Sequence, residues 1–211
     1  METSKIANGV MAASLIAGLS YFISWQMELT PMLSVIWKGA GVALLALYAA
    51  ILARSLDGWL IAAVMAFGAL GDVLLDAISL EVGAIAFAVG HVIAMALYLR
   101  NRRPSVTPSQ RWLAVLVVPF SIYIAYALTG EAMIAIYTAL VAGMAASAWI
   151  SRFPRYQTGI GAMMFLASDL LIFARMGPLE AEAWATYAIW GLYFGGQVLI
   201  VRGITQALVR D

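Results

Sequence analysis

The sequence predicts an all-α fold, a polytopic membrane bundle of eight transmembrane helices, and three observations predict it. Of 211 residues, 64% are hydrophobic and 11% charged, where a soluble domain is nearer half apolar and a quarter charged. The apolar residues gather into eight stretches, each close to the roughly 20 residues that a bilayer core demands. Lysine and arginine then fall on alternate connections between those stretches, as membrane topology requires.

The elements follow in order. The stretch 6–26 runs too long for a signal peptide and lacks a small-residue cleavage site, so it reads as a retained helix. The second, 31–53, opens at Pro31, and the third, 58–76, follows Asp57-Gly58. The fourth, 81–99, ends at "RNRRP" (100–104), and the fifth, 112–128, stops before Gly130. The sixth, 131–150, precedes Pro154; the seventh, 157–176, gives way to Gly177-Pro178; the eighth covers 183–204. Only the connection 100–111 is long, so no soluble domain fits and the chain reads as a single domain.

Placing the N-terminus in the cytoplasm puts Lys5, Arg54, Arg100, Arg102, Arg103, Arg111, Arg152, Arg155, Arg202 and Arg210 on one side. The other side receives Arg175 with Glu28, Glu81, Glu131, Glu180 and Glu182. Both termini are therefore expected in the cytoplasm, with the protein in a bacterial inner membrane. Small residues four apart, Gly143 and Ser147, suit close helix approach. Trp25, Trp59, Trp112 and Trp149 lie near span ends, where indoles anchor at the interface.

Composition excludes several functions. A net charge of +1 argues against nucleic acid as a partner, and the absence of cysteine removes disulfides, thiolate metal sites and thiol catalysis. With His91 the single histidine, a multi-histidine metal centre is impossible. A zinc site of His91 and two aspartates has no spacing signature. No "GxSxG" elbow occurs, and "GIGAMM" (159–164) lies in an apolar helix rather than after a strand. No metal and no cofactor are implied.

The chain also echoes itself. "GDVLL" (71–75) resembles "SDLLI" (168–172), and "FAVGHVI" (87–93) resembles "YFGGQVL" (193–199). The echo pairs Asp72 with Asp169, Phe87 with Tyr193 and His91 with Gln197. It suggests two parallel four-helix repeats, about 1–104 and 105–211, whose pseudo-twofold would bring Asp72 and Asp169 to face each other.

Ionisable groups inside a span are costly, and they commonly line a cavity or pair with one another. Lys38, Asp72, His91 and Asp169 are of this kind. Counted at about 1.5 Å per residue, they share a layer from the midplane to the outer half of the membrane. Tyr48, Tyr193 and Gln197 are positioned to join them. Lys38 is expected to neutralise one buried aspartate, whereas Asp76 and Glu81, at a span end, read as solvated carboxylates. One lysine cannot compensate two aspartates, so one carboxyl is expected to be protonated, and such a pair suits acid–base chemistry. Structural roles stay open beside this reading: His91 and Gln197 as interhelical hydrogen-bonders, and the aspartates as glue between helices.

Lys38 on the second helix, "GDVLL" on the third, Gly90-His91 on the fourth, "FLASDLLI" on the seventh and "YFGGQ" on the eighth stand in an order that resembles the YhhN family of lysoplasmalogenase-like membrane proteins. The resemblance covers about residues 30–205. Gly39 stands where the family often has proline, and Tyr193-Phe194 replaces its usual double tyrosine. The resemblance implies a hydrolase that cleaves the vinyl ether bond of lysoplasmalogens to a fatty aldehyde and a glycerophospho-head group. It implies a lysophospholipid substrate among membrane lipids, with no cofactor. Asp72 and Asp169 would be acid and stabilising base, with His91 beside them to orient water or bind phosphate. Lys38, Tyr193 and Gln197 would support the substrate. The residues alone leave two alternatives open: a small proton-coupled transporter, and a non-catalytic membrane protein with a structural polar cluster.

Overall fold

The computed structural model describes residues 2–210. It contains eight α-helices: α1 (Glu2–Ser24), α2 (Pro31–Leu52), α3 (Leu56–Ala77), α4 (Leu80–Arg100), α5 (Pro108–Thr129), α6 (Ala132–Ile150), α7 (Ile160–Ala174) and α8 (Ala183–Arg210). All eight spans are long and apolar enough to cross a membrane. Among the described residues no β-strand forms, which suits a chain whose backbone polar groups must be satisfied within each span. The all-α, eight-helix expectation holds.

Local chemistry sets the helix starts. Thr30 and Ser55 cap α2 and α3 by accepting from the Leu33 and Gly58 amides, and Pro31 occupies a first-turn position whose missing N–H costs nothing. Thr107 and Gln110 form a reciprocal capping box, which starts α5 at Pro108, four residues before the expected 112. Gly130, at φ 70°, closes the same helix in the left-handed conformation that favours glycine.

Two other spans outrun their apolar stretches. Helix α1 begins at Glu2 and α8 continues to Arg210, since no Gly or Pro interrupts residues 2–5 or 205–210. The seventh span departs from a plain helix. A π-helical turn, Arg155–Gly159, precedes α7, so a backbone irregularity stands where the sequence suggested a continuous helix. Pro119 lies inside α5, a position tolerated in membranes more readily than in water.

The chain forms two compact units, one running to Ala94 and including Ile204 onward, the other Met95–Gly203. In the first, α2 packs on α1 and α3. Ser14 Oγ donates to the Gly41 carbonyl at 2.7 Å, and Trp37 Nε1 donates to Ser20 Oγ at 3.0 Å. In the second, α5 packs on α6 and both pack on α7, while Ser168 Oγ donates to the Ile189 carbonyl of α8 at 3.0 Å. Val42, Leu45, Ile61 and Met65 are fully buried in the first unit, as Val141, Phe153 and Val201 are in the second.

Glycines fix how the two hairpins of interest lie. Between α3 and α4, a Cβ on Gly71 would meet the Phe87 ring at 2.7 Å, and one on Gly83 would meet Leu75 at the same distance. Between α7 and α8, a Cβ on Gly196 would come within 2.6 Å of the Gly161 carbonyl oxygen. The internal echo matches Phe87 with Tyr193 and Gly71 with Ser168. Phe87 does lie on Gly71, but Tyr193 packs edge-on against Phe165, three residues short of Ser168. The difference is one of side chains and not of backbone register: Gly90 faces Val64 and Phe67, and its counterpart Gly196 faces their counterparts Gly161 and Met164.

A methyl group at Gly196 must push two backbones apart, whereas nothing lies within 4 Å of a Cβ at Gly9. Gly196→Ala is therefore expected to cost about 1–3 kcal/mol, the usual penalty of overpacking. In a detergent melt that is a Tm loss of several degrees, at roughly 2–4 °C per kcal/mol for a chain of this size. Gly9→Ala should leave the melt unchanged; equal losses from both variants would refute the packing account.

Candidate functional site

Two buried aspartates lie in the two units, and each has its own surroundings. Asp72 of α3 is 3% exposed. Its chain neighbours are the contact points of two other helices: Gly71 beneath the Phe87 ring of α4, and Val73, whose methyl would lie 2.7 Å from a Cβ on Gly39 of α2. Small residues at 39 and 71 thus let α2 and α4 close in on either side of the carboxyl. Phe87 also stacks on His91 one turn along α4, with ring centroids 6.5 Å apart and 18° between planes. His91 is buried as well. Next to Gly90, which meets Phe67 and Val64 of α3, it stands about 10 Å along the axis from Asp72.

Lys38 neutralises a different carboxylate from the deep pair. Its Nζ sits 2.9 Å from both Oδ1 and Oδ2 of Asp76. The reading of Asp76 as a solvated helix end is corrected: it is the ion-pair partner of the membrane lysine. The reason is geometric. The Gly39–Val73 contact fixes the register of α2 against α3, and from there a lysine reaches the carboxylate one turn beyond Asp72. Glu81, by contrast, is exposed in the first turn of α4, as expected. Tyr48 does not join Asp72. It lies nine residues past Gly39, about 13 Å along α2, and its hydroxyl stands 3.5 Å from Thr205 Oγ1.

In the other unit, Asp169 of α7 is 6% exposed. Its Oδ2 accepts a 2.7 Å hydrogen bond from the Tyr137 hydroxyl of α6. No lysine, arginine or histidine forms an ion pair with it among the described residues. The Tyr137 ring is held edge-on by Phe173, one turn past Asp169, at 6.2 Å and 89°. Ser168, the residue before Asp169, ties α7 to α8. Sequence reasoning missed Tyr137, because a tyrosine near the start of an apolar span reads as an interfacial anchor. The available signal was its place on a helix adjacent in sequence to the one that bears Asp169.

The α8 backbone keeps the register of the echo, but its side chains pack differently. Tyr193 packs against Phe165 at 5.2 Å and Trp190 at 5.6 Å. Gln197, next to Gly196, which meets Gly161, Met164 and Phe165, lies about 10 Å along the axis from Asp169. Its amide nitrogen is 3.5 Å from the Tyr193 hydroxyl. Gln197 and His91 thus stand at similar distances along the axis from the aspartates of their own hairpins. Each aspartate is a buried carboxyl on an apolar helix, a group equipped for proton transfer or for holding a nearby positive charge.

The Trp149 ring does not serve only as an anchor. It lies beneath the Arg155 guanidinium, 5.6 Å from ring centroid to Cζ, whereas Trp59 and Trp112 are exposed as interfacial indoles should be.

Comparison with known proteins yields one match. The YhhN family model matches residues 33–204. No curated protein and no solved structure matches.

The Lys38–Asp76 pair and the Tyr137–Asp169 bond generate separable expectations. Lys38→Met and Asp76→Asn should each lower thermal stability, while the double variant should recover part of the loss; a double-mutant cycle in detergent reads the coupling. Strict additivity would mean that the pair contributes nothing. Tyr137→Phe removes the donor to Asp169 and should cost about 1 kcal/mol, the scale of an interhelical hydrogen bond in a membrane protein.

Proposed function

Since the chain belongs to the YhhN family, we propose that it is a lysoplasmalogenase-like hydrolase, which cleaves the vinyl ether bond of a lysoplasmalogen in the membrane. The observation that carries this reading is Asp169: buried in an apolar helix, without an ion-pair partner among the described residues, and held by Tyr137 through one oxygen. That arrangement leaves Oδ1 for a reacting group. Asp72, equally buried in the apolar α3, is a candidate of the same kind in the other unit.

Vinyl ether cleavage begins with proton transfer to the alkenyl carbon distal to the ether oxygen. The carbon next to oxygen becomes an oxocarbenium ion. A water molecule adds there and loses a proton, and the hemiacetal collapses to a fatty aldehyde and the free glycerol hydroxyl. One water is consumed, and the proton given at the start is returned at the end. The protein must supply an acid, an anion beside the developing cation, and an oriented water, as a glycosidase does with two carboxyl groups. In this proposal Asp169 is the catalytic carboxyl of its unit, with Tyr137 as the positioning residue that fixes it, and Asp72 and His91 are the catalytic candidates of theirs. Lys38 acts through Asp76, and Tyr193 and Gln197 shape the wall along α8. The apolar helices accommodate a single alkenyl chain, and the substrate enters from the surrounding lipid. Both termini face the cytoplasm in this proposal.

Purified protein in detergent should release aldehyde from a 1-alkenyl lysophospholipid and not from its saturated 1-alkyl analogue, because only the vinyl carbon can accept the proton. Asp72→Asn and Asp169→Asn should each lower kcat by about 100-fold or more, the range of general acid–base catalysis, with melts close to that of the unsubstituted protein. Tyr137→Phe should lower kcat with little change in KM. A folded preparation that releases no aldehyde with choline or ethanolamine head groups would overturn the reading. Flux of intact substrate in proteoliposomes would replace it with transport.

A further inference from the structure

The sequence singled out the arginines of residues 100–155 only as topology markers. The structure organises some of them. Segment 101–103 pairs with 150–153: Arg102 bridges Ser151 in antiparallel fashion, Arg103 N donates to the Ile150 carbonyl at 3.1 Å, and Arg152 N donates to the Asn101 carbonyl at 2.7 Å. Arg152 Nε also binds Asn101 Oδ1 at 2.7 Å. This knot holds Arg103 against the chain entering α7, where its Nη2 donates to the Phe153 carbonyl at 3.2 Å.

Arg155 opens the π-helical turn, over the Trp149 ring, and its Nε lies 3.4 Å from the Trp149 carbonyl. A Cβ on Gly159 would press on both, 3.0 Å from Trp149 Cε3 and 3.1 Å from Arg155 Cγ, so glycine is what admits this stacking. Burial, and then the charge of Arg155, lower the pKa of Arg103. The Arg103 guanidinium is bonded to the carbonyl two residues before Arg155, so both groups belong to the same short stretch of chain. Residues 100–155 carry six arginines and a single carboxylate, Glu131, which stands at the far turn of the α5–α6 hairpin.

Unmet donors complete the picture. Arg155 Nη2 and Trp149 Nε1 are buried, and neither has a hydrogen-bond partner. A buried donor without an acceptor is rare and calls for a missing partner. These two nitrogens ask for an acceptor and for negative charge, while Gln157 Oε1 and Thr158 Oγ1 of the same turn are also buried without a hydrogen-bond partner. Single-turn π segments recur at functional positions for the same reason: they expose groups that a regular helix would use.

We propose that Arg103 and Arg155 form a clamp for a phosphate group, with the Trp149 indole as a further donor. Guanidinium forks match phosphate oxygens bidentately. The segment lies at the end of its spans, where the headgroup layer of an anionic phospholipid would present a phosphate; free inorganic phosphate offers the same chemistry. The site is independent of the proposed hydrolysis. Arg155 stands fourteen residues before Asp169, about 20 Å along the helix axis.

The test uses the full-length protein in neutral detergent, offered phosphatidylglycerol and phosphatidylcholine in equal amounts, with bound lipid counted by native mass spectrometry. The unsubstituted protein should retain phosphatidylglycerol about tenfold over phosphatidylcholine, the yield of one charge-assisted contact. The double variant Arg103→Gln, Arg155→Gln should lose that preference, while Arg102→Gln and Arg111→Gln should keep it. Arg103→Lys and Arg155→Lys, which retain charge but not the fork, should weaken it and carry the test if the glutamine pair fails to fold. Inorganic phosphate that raises the Tm of the unsubstituted protein, but not of the substituted one, and displaces the lipid assigns the clamp to free phosphate. Lipid retention unaffected by phosphate assigns it to a headgroup. The proposal fails if neither probe binds, or if Arg102→Gln or Arg111→Gln removes as much binding as the clamp variants.

Discussion

A polar group within hydrocarbon must find its partner inside the protein, and most of what is distinctive here follows from that constraint. It obliges the chain to be helical, since a helix alone satisfies its own backbone across the bilayer. It makes every carboxyl in a span a commitment, because water cannot repair a missing contact. The lysine of α2 meets the commitment at Asp76 with a two-pronged ion pair. Tyr137 meets it at Asp169 with a single neutral donor. The difference matters chemically: an ion pair consumes a carboxylate, while one hydroxyl leaves half of it available.

Close helix contact enforces these pairings. Glycines 39 and 71 are the means by which α2 and α4 approach α3 on either side of Asp72. A larger residue at either position would widen the gap and relax the register that carries Lys38 to Asp76 and not to its deeper neighbour. Packing of this kind, rather than hydrophobic burial, drives helix association where the solvent is itself apolar.

The fold was legible because its rules are few. Hydropathy located all eight spans within a few residues, and the misplaced ends trace to caps such as Thr107–Gln110 and to helices that run on where nothing stops them. The π-helical turn was not legible: Arg155–Gly159 contains a terminal glycine but no sequence feature that demands an extra residue per turn. At the site, the aspartates announced themselves as charges in apolar helices, and their burial followed. Their partners did not. Whether Lys38 reaches Asp72 or Asp76 depends on a helix register set by side-chain volume, and one turn of slip is invisible in a hydropathy profile. Tyr137 was hidden for the opposite reason, since tyrosine near a span end has an ordinary explanation.

The like register of the two hairpins has a consequence of its own. Gly90 and Gly196 seat their helices at corresponding points of α3 and α7, so each aspartate stands at the same level of its own hairpin. What distinguishes the two is their company: Phe87 stacks on His91 in one hairpin, and Tyr137 of another helix binds the carboxyl of the other. A chimera that exchanged the two motifs would keep the scaffold and change the neighbours.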